Sequence, residues 1–162
     1  MFKKKAMEEE LKYFLDKLLI QDVRKLIDNE QEYVALIIMA QSIETLGAFL
    51  DAKPFRAKAQ SKKRFNLALK KLFTYKYRKA NDKFFLYDKL RNHIAHILIP
   101  SARVELIDST SQAKHMDVTS GTLYISIEDF YTDVKSATEQ LIAMINNGEL
   151  KYKRLDLSKV KI

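Results

Sequence analysis

The spacing of the apolar residues constrains the fold of this chain more than any other feature of the sequence. In the first segment, apolar residues recur at positions i, i+3, i+4 and i+7 from Leu11 to Leu18, which is the period of one helix face. Four further segments repeat this period, and only three glycines and two prolines interrupt the 162 residues. The pattern therefore predicts a mostly α-helical protein, an up-and-down bundle of about five helices that hide their apolar faces against one another.

The ends of these helices can be placed from capping and breaking residues. The predicted helices span about residues 7–28, 30–50, 57–77, 81–98 and 127–147. The second is apolar nearly all round between Val34 and Ala40, which predicts a buried central helix. Gly47 costs about 1 kcal/mol against alanine inside a helix, so we expect it to permit close packing with a neighbour.

A change of period before the last helix predicts a small amount of β-structure. Residues 103–108 and 122–127 alternate between apolar and polar side chains, with a long polar connection between them. We expect a two-stranded antiparallel ribbon packed on the bundle, followed by a helix whose capping box begins at Ser126. Residues 1–150 then form one helical domain. Residues 151–162 form a basic and apolar tail that is a strand, a partner-binding arm or disordered.

The positive charge is concentrated in one segment. Between Lys53 and Lys83 there are twelve basic residues and one acidic residue, whereas the whole chain has a net charge of +8. Such a concentration attracts polyanions, and Tyr75 and Tyr77 within it are candidates for stacking on bases. The alternative is an ordinary solvated helix face. The candidate RNA-binding residues are Lys62, Lys63, Arg64, Lys70 and Lys71.

Several classes of protein are excluded or disfavoured by composition. The chain has no cysteine, which excludes disulfides, thiolate catalysis and a cysteine zinc site. The basic start of the chain is followed by acidic residues rather than an apolar run, so a signal peptide is not expected. The longest apolar run, residues 34–40, is much shorter than a membrane span. No glycine-rich phosphate loop is present, and we expect a soluble cytoplasmic protein without a membrane association or a cofactor.

One polar cluster interrupts the apolar pattern at the end of the fourth helix. Residues 91–96 (RNHIAH) hold two of the three histidines, and Pro100 follows, which cannot continue a helix. On a regular helix Asn92 and His96 lie on the same side, whereas Arg91 is about 140° away from His96 around the axis. Arg91 and His96 therefore converge only if the last turn loosens or if a second copy of the helix faces the first.

This segment resembles the signature of the HEPN superfamily, in which an arginine is followed by a polar residue and, four to six intervening residues after the arginine, by a histidine. The arrangement of long helices, with the motif near the end of the helix before the last, matches over residues 7–147. The resemblance implies a metal-independent endoribonuclease that acts on RNA as a homodimer. It also implies that Arg91, Asn92 and His96 are the catalytic residues and line a cleft between the subunits.

The resemblance further implies an antitoxin or another protein partner, in a toxin–antitoxin or defence system. HEPN toxins paired with a nucleotidyltransferase antitoxin often carry a tyrosine two residues after the histidine, which the antitoxin modifies. Here that position is Leu98. The alternative function is a non-catalytic HEPN-like dimeric module that binds a nucleotide, RNA or a protein, and a third is a purely structural dimerisation domain.

The chemistry of these residue types fits RNA cleavage by the 2′-hydroxyl. That reaction needs a proton acceptor, a proton donor for the leaving 5′-oxygen, and positive charge at the phosphate. Histidine titrates near neutrality, so His96 can transfer protons. Arginine presents a fork of donors that fits phosphate oxygens, which is the role predicted for Arg91, with Asn92 orienting the phosphate or the histidine. His93 and Asp88 are auxiliary candidates.

Two rival interpretations of the same residues stay open in the sequence. In the structural one, Arg91 pairs with Asp88 at i, i+3 and His96 caps the helix end. In the other, His93 and His96 chelate a metal with His115 as a third ligand. Arg91 would repel a cation there, and no carboxylate stands between the histidines as in a metalloprotease motif, so we expect no metal.

Overall fold

The computed structural model describes residues 2–150 and Lys153. Over these residues the chain forms six helices and three strands, which confirms a mostly helical protein. The first helix is continuous, with a π-helical stretch at Asp16–Asp22 between two α-helical parts. We number the helices α1 (2–28), α2 (Glu32–Leu50), α3 (Ser61–Leu72), α4 (Tyr75–Ala80), α5 (85–97) and α6 (Ile127–Asn146).

The single helix predicted over residues 57–77 is wrong, because the chain forms α3 and α4 with a break between them. Phe73 and Thr74 adopt extended backbone conformations, with ψ angles of 158° and 167°. The break turns the chain so that Phe73 and Tyr77 both enter the core, where their ring centroids lie 4.7 Å apart. Burial of two large aromatic rings outweighs the continuation of one helix.

The buried central helix predicted near residue 40 is α2, which contacts α1, α3, α5 and α6. Its crossing with α3 is close at Gly47, where an added Cβ would lie 1.9 Å from the backbone oxygen of Arg64. The prediction of close packing at Gly47 is therefore confirmed. Of the described helices, α2 alone is long and apolar enough to cross a membrane, which the short apolar run did not indicate, but 56% of that stretch is buried in the bundle. Such burial is typical of the core helix of a soluble protein.

The buried face of α5 determines which of its residues can form a site. Leu86, Leu90 and Ile94 are all completely buried beneath the other helices. These residues recur at four-residue intervals, so the helix presents one face to the core and leaves the side chains between them at the edge or in solvent. Arg91 therefore lies at the edge of the core and His96 outside it, at the end of α5.

The small sheet differs from the predicted ribbon. The strands β1 (Val104–Ile107), β2 (Val118–Thr119) and β3 (Thr122–Ser126) lie in the order β1-β3-β2. β1 pairs with β3 in parallel, and β2 pairs with β3 antiparallel, so a two-stranded antiparallel ribbon is wrong. The connection between β1 and β3 is long enough to bring the chain back to the end of the sheet at which β1 begins, as a parallel pair requires. β2 belongs to this connection and forms the edge of the sheet opposite β1.

Local geometry explains the turn and the start of α6. Ser120 and Gly121 both have positive φ angles, 51° and 76°, as a two-residue turn between β2 and β3 requires. The predicted cap at Ser126 is confirmed, because its hydroxyl accepts a hydrogen bond from the backbone N–H of Asp129 at 3.2 Å. The tail predicted at 151–162 lies outside the described residues except for Lys153, whose ammonium group contacts Asp51 and the carbonyl of Ala48.

Candidate active site at the end of α5

The backbone of α5 is irregular around the candidate residues. Tyr87–Asn92 is π-helical, and an α-helical turn follows at His93–Ile97. The helix ends at Leu98, whose left-handed backbone (φ 59°) places its N–H 3.0 Å from the carbonyl oxygen of Ile94. Short π-helical stretches are rare in proteins, and those that occur are often found at functional sites. A left-handed branched residue such as Leu98 stores strain that the surrounding structure must hold in place.

Arg91 is held by a carboxylate of the central helix. Its guanidinium forms an ion pair with Glu44 of α2, and both side chains are mostly buried. Ser61 at the start of α3 donates a hydrogen bond to the other oxygen of Glu44 at 2.9 Å. The guanidinium carbon also lies 5.5 Å from the ring centroid of Tyr87. Contacts from α2, α3 and α5 thus fix where the arginine points.

This ion pair replaces the one predicted within α5. Asp88 does not partner Arg91 but lies 3.3 Å from the ammonium nitrogen of Lys62 on α3. The pairing of Arg91 with Glu44 leaves part of the guanidinium unused. Its Nε atom is buried and has no hydrogen-bond partner among the described residues. A buried donor without a partner costs free energy.

The remaining signature residues lie at the protein surface. Asn92 and His93 are half-buried, and His96 is exposed. No hydrogen bond joins Arg91 to His96 among the side chains that the structure describes, in keeping with their predicted separation around the helix. The structure therefore brings Arg91 and His96 to one end of one helix but does not bring them into contact within the chain.

The three histidines do not form a common site. His115 is buried in the loop between β1 and β2, where its ring contacts Tyr77 and the backbone of Ser126. It is therefore not a third ligand beside His93 and His96. Among the described residues, no three His, Cys, Asp or Glu side chains are grouped so that they could hold a metal ion.

An exposed apolar patch lies beside the signature. The three apolar residues that follow His96 are unusually exposed, and so are two apolar residues at the start of α2. The apolar patch consists of Ile97 (59% exposed), Leu98 (61%), Ile99 (59%), Tyr33 (43%) and Val34 (44%). The hydroxyl of Tyr33 donates to the carbonyl oxygen of Leu98, which joins the two parts of the patch. Gln41, farther along α2, donates to the carbonyl oxygen of Arg91 at 3.3 Å.

The candidate RNA-binding residues on α3 fall into two groups. Lys63, Lys70 and Lys71 are exposed, and Lys62 is half exposed. Arg64 is buried, and we correct its assignment. Its guanidinium lies 2.7 Å from a carboxylate oxygen of Asp51 and donates to two backbone carbonyls of the loop after α2. These bonds occupy the donors that a phosphate would need.

The role of Arg64 is to hold Asp51. Burial alone would raise the pKa of Asp51, but hydrogen bonds from Arg64, Lys153 and the backbone of Lys53 outweigh burial and lower that pKa to about 2. The carboxylate is therefore ionised at any ordinary pH. Arg64 and Asp51 join α3 to the end of α2 as a structural ion pair.

A second polar cluster was not predicted from the sequence. The hydroxyl of Tyr77 donates to Asp133 of α6 at 2.9 Å and lies 3.0 Å from Nε2 of His115. The backbone N–H of Ser126 donates to Nδ1 of His115 at 3.1 Å, so the ring hydrogen is on Nε2 and faces Tyr77. The ammonium group of Lys76 lies 2.8 Å from Asp133. We call these four side chains the buried network: Tyr77, His115, Asp133 and Lys76.

Contacts within the buried network shift the pKa values of its tyrosine and its aspartate. Burial raises the pKa of Tyr77 well above its ordinary value, and the negative charge of Asp133 raises it further. Burial would raise the pKa of Asp133, but hydrogen bonds from His115, Lys76 and Tyr77 outweigh burial and lower it. The tyrosine therefore stays protonated as a donor and the aspartate stays ionised as an acceptor.

Sequence reasoning also missed Glu44, although a signal was present. Glu44 is the only charged residue between Tyr33 and Leu50. A single charge on a helix that is otherwise apolar or uncharged requires a partner. The sequence alone does not say that this partner is Arg91. Comparisons with protein families, with curated proteins and with solved structures find no match for this chain.

Proposed function

We propose that this protein is a HEPN-like, metal-independent endoribonuclease that acts as a homodimer in the cytoplasm. The observation that supports it best is the end of α5. There an arginine anchored by a carboxylate and an exposed histidine lie beside an apolar patch, in the residue order of the HEPN signature. A ribonuclease needs a charge clamp and a proton-transfer group, and these two side chains supply them.

The proposed reaction is attack of the 2′-hydroxyl of RNA on its own 3′-phosphate. His96 accepts the proton of the hydroxyl while the oxygen forms a bond to phosphorus. The bond from phosphorus to the 5′-oxygen breaks, and a protonated His96, that of the other subunit, donates a proton to that oxygen. The products are a 2′,3′-cyclic phosphate and a 5′-hydroxyl. Arg91 stabilises the negative charge on the phosphate oxygens, and Asn92 orients the phosphate.

Glu44 positions Arg91 in this proposal. Its carboxylate holds one side of the guanidinium, and Ser61 holds the carboxylate. A fixed guanidinium loses less entropy when it binds a phosphate than a mobile one. The carboxylate of Glu44 also offsets part of the positive potential that Arg91 exerts on a phosphate. A second arginine, from the other subunit, would therefore strengthen the clamp.

The apolar patch supports a two-fold dimer at the end of α5. Exposed apolar side chains beside a polar cluster are typical of protein interfaces. In a two-fold arrangement, the Arg91 of one subunit can face the His96 of the other, which resolves the angular separation of the two residues on one helix. The last helix, α6, is the other element proposed to take part in this interface.

The dimer is tested by sedimentation of Leu98→Glu. We expect the parent protein to be a dimer at tens of micromolar and Leu98→Glu to be a monomer, because the charge would be buried in the interface. Leu106→Glu is the matched control, since Leu106 is 43% exposed on β1, outside the patch. A monomeric parent, or a Leu98→Glu variant that remains a dimer, contradicts the interface.

The activity is tested with a labelled RNA, a DNA of the same sequence and a chelator. We expect cleavage of RNA with chelator present, no cleavage of DNA, and products that end in a 2′,3′-cyclic phosphate or the 3′-phosphate formed from it. His93→Ala is the control for the auxiliary histidine and should lose less than about tenfold, whereas His96→Ala should lose about a hundredfold or more. Cleavage that stops with chelator, or continues in His96→Ala, contradicts the mechanism.

A non-catalytic binding module is the second candidate function. The ion pair between Arg91 and Glu44 favours it, because the arginine already has an anionic partner in the single chain. Such a module would hold RNA, a nucleotide or a protein at the same cleft. A folded dimer that binds RNA without cleaving it would establish this alternative.

We place the protein in a toxin–antitoxin or defence system, with an antitoxin or another protein as partner. The resemblance to the HEPN signature supports this placement, and the α5 end is where such a partner would block RNA. Leu98 stands where related toxins carry the modified tyrosine. We therefore expect inhibition by direct coverage of the cleft rather than by modification at that position.

A further inference from the structure

Two clefts lie side by side along α4 and the start of α5. The first, about 740 Å³, lies between α4 and the β2 edge and is lined by Tyr75, Arg78 and Lys79, among others. The second, about 320 Å³, is lined by Lys79, Lys83 and Lys89, among others. Lys79, Ala80, Asp82 and Val118 line both clefts, so the two clefts adjoin. We call this surface the α4 channel.

The channel is rich in cations. Arg78, Lys79, Lys83 and Lys89 line it. Three carboxylates also line it, namely those of Asp82, Asp88 and Asp117. Asp88 is already paired with Lys62 of α3 at 3.3 Å, and that lysine adds a fifth cation at the border. The balance along the channel is therefore positive, as a polyanion requires.

Exposed aromatic rings flank this positive surface. Tyr75 is 68% exposed and has the guanidinium of Arg78 5.4 Å from its ring centroid. Phe84 is 41% exposed and has the ammonium group of Lys62 4.8 Å from its ring centroid. Tyr77, the other tyrosine considered for base stacking, is completely buried and is unavailable to a ligand. The structure thus leaves Tyr75 as an exposed ring in the first cleft, and the exposed Phe84 adjoins Lys83 and Phe85, which line the second.

We propose that the α4 channel binds single-stranded RNA and leads it to the end of α5. This inference rests on the proposed action on RNA and adds the form of the substrate and its route. Lys89 lines the channel and lies on α5, seven residues before His96. A strand that follows the cations from Arg78 to Lys89 therefore reaches α5 about 10 Å along the helix axis from His96.

The pairing of rings and cations is what selects a single strand. An unpaired base can stack on Tyr75 or Phe84 while its phosphate contacts the adjacent cation. The bases of a duplex are stacked on one another and cannot reach these rings. Stacking is tolerant of base identity, so we expect little sequence preference from the channel itself.

Binding is tested in the full-length His96→Ala protein, in which cleavage does not interfere. The probe is a fluorescently labelled oligouridylate of twelve nucleotides, with chelator present. Tyr75→Ala should weaken binding about tenfold, the scale of one lost stacking contact. Tyr75→Phe, which retains the ring, should bind within about twofold of its parent. Tyr13→Ala is the matched control, because Tyr13 is 54% exposed on α1.

The charge contribution is tested by a salt series with Arg78→Glu and Lys79→Glu combined. Loss of two phosphate contacts on a single strand should reduce the slope of log K against log salt by about 1.4. Lys25→Glu is the matched control, because its side chain is 66% exposed on α1. A parent slope that is unchanged in the double variant overturns the channel.

The outcomes separate the channel from the catalytic proposal. Loss of binding in Tyr75→Ala with retention in Tyr75→Phe supports the channel whether or not the protein with an intact His96 cleaves RNA. If that protein does not cleave, the endoribonuclease proposal fails and the channel remains a binding site. Equal binding by Tyr75→Ala and its parent, preference for duplex RNA, or no binding by His96→Ala overturns the channel even if cleavage occurs.

Discussion

The buried network and the end of α5 are two polar clusters that each contain a histidine, but the surroundings of the two histidines differ. In the buried network, His115 is bonded through both ring nitrogens, and Asp133 accepts from Tyr77 and Lys76. At the end of α5, His96 is exposed and Arg91 has a buried nitrogen without a partner among the described residues.

The difference places two histidines of the protein in opposite environments. A histidine whose two nitrogens are both bonded to the protein has no free position for a substrate, so its contribution is to stability. An exposed histidine beside an anchored arginine is available for proton transfer. The account therefore predicts that substitutions in the two clusters affect different measurements.

The largest effect should be on activity at the end of α5. Arg91→Ala and His96→Ala should each lower the rate of RNA cleavage by about a hundredfold or more, because each removes a group used in the transition state. The melting temperature of His96→Ala should stay within about 2 °C of the parent, as for an exposed residue. Single-turnover cleavage and thermal unfolding measure both. If His96→Ala instead lost as much stability as a buried-network variant, the two clusters would not differ in the way proposed.

The next largest effect should be on stability in the buried network. His115→Ala leaves the backbone N–H of Ser126 without its acceptor and opens a cavity beside Phe130. We expect a loss of about 2–3 kcal/mol in the free energy of unfolding, or about 5–10 °C in melting temperature. Cleavage at 20 °C should remain within about twofold of the parent. If His115→Ala is instead stable and inactive, the buried network is part of the active site.

Glu44 connects the two halves of the comparison, because it is a mostly buried residue that positions Arg91, the proposed charge clamp. Glu44→Gln retains the shape but removes the charge that holds Arg91. Cleavage should fall about tenfold, chiefly in kcat, since the arginine acts in the transition state. Glu44→Asp should recover part of this loss. A change confined to stability would make Glu44 a structural residue only.

The sequence predicts what is local and misses what depends on distant partners. The long helices follow from apolar spacing alone, and the end of α5 follows from Pro100. The break at Phe73 does not, because residues 57–77 suit a helix and only the burial of two rings in the core interrupts it. The parallel pairing of β1 with β3 depends on the path of the intervening loop, which no local pattern specifies.

The same limit applies to the candidate sites. The signature gives Arg91 and His96 without any structure, but Glu44 lies 47 positions earlier in the chain, so its contact with Arg91 is not visible in the local pattern. Lys63 and Arg64 are adjacent and look alike in a basic run. Only their positions on α3 separate an exposed cation from one bonded to Asp51. Charge counting therefore overestimates the surface available to RNA.

The smallest predicted effect is the pH dependence of the buried network. Hydrogen bonds from His115, Lys76 and Tyr77 outweigh burial and lower the pKa of Asp133 below its ordinary value of 3.8. A lowered pKa means that the carboxylate stabilises the fold above pH 3.8, and that this contribution is lost as the pH falls through the lower value in the folded protein.

Asp133→Asn isolates this contribution. Its melting temperature should be below that of the parent at pH 6, and the difference should narrow as the pH falls below about 4. Asp51 also has a lowered pKa, but it is present in both proteins and cancels in the difference. A gap that is constant from pH 6 to pH 2 would show that the charge of Asp133 does not stabilise the network.

The central claim is that the active site is completed by a second copy of the chain, with Arg91 of one subunit acting on the same phosphate as His96 of the other. The most direct measurement is the activity of a heterodimer of one parent chain and one His96→Ala chain, co-expressed with two different tags and purified through both. The account predicts that this heterodimer loses about a hundredfold or more, as the His96→Ala homodimer does, because each cleavage uses the His96 of both subunits. A purified heterodimer that retains about half of the parent's activity would show that each chain acts alone and would contradict the account.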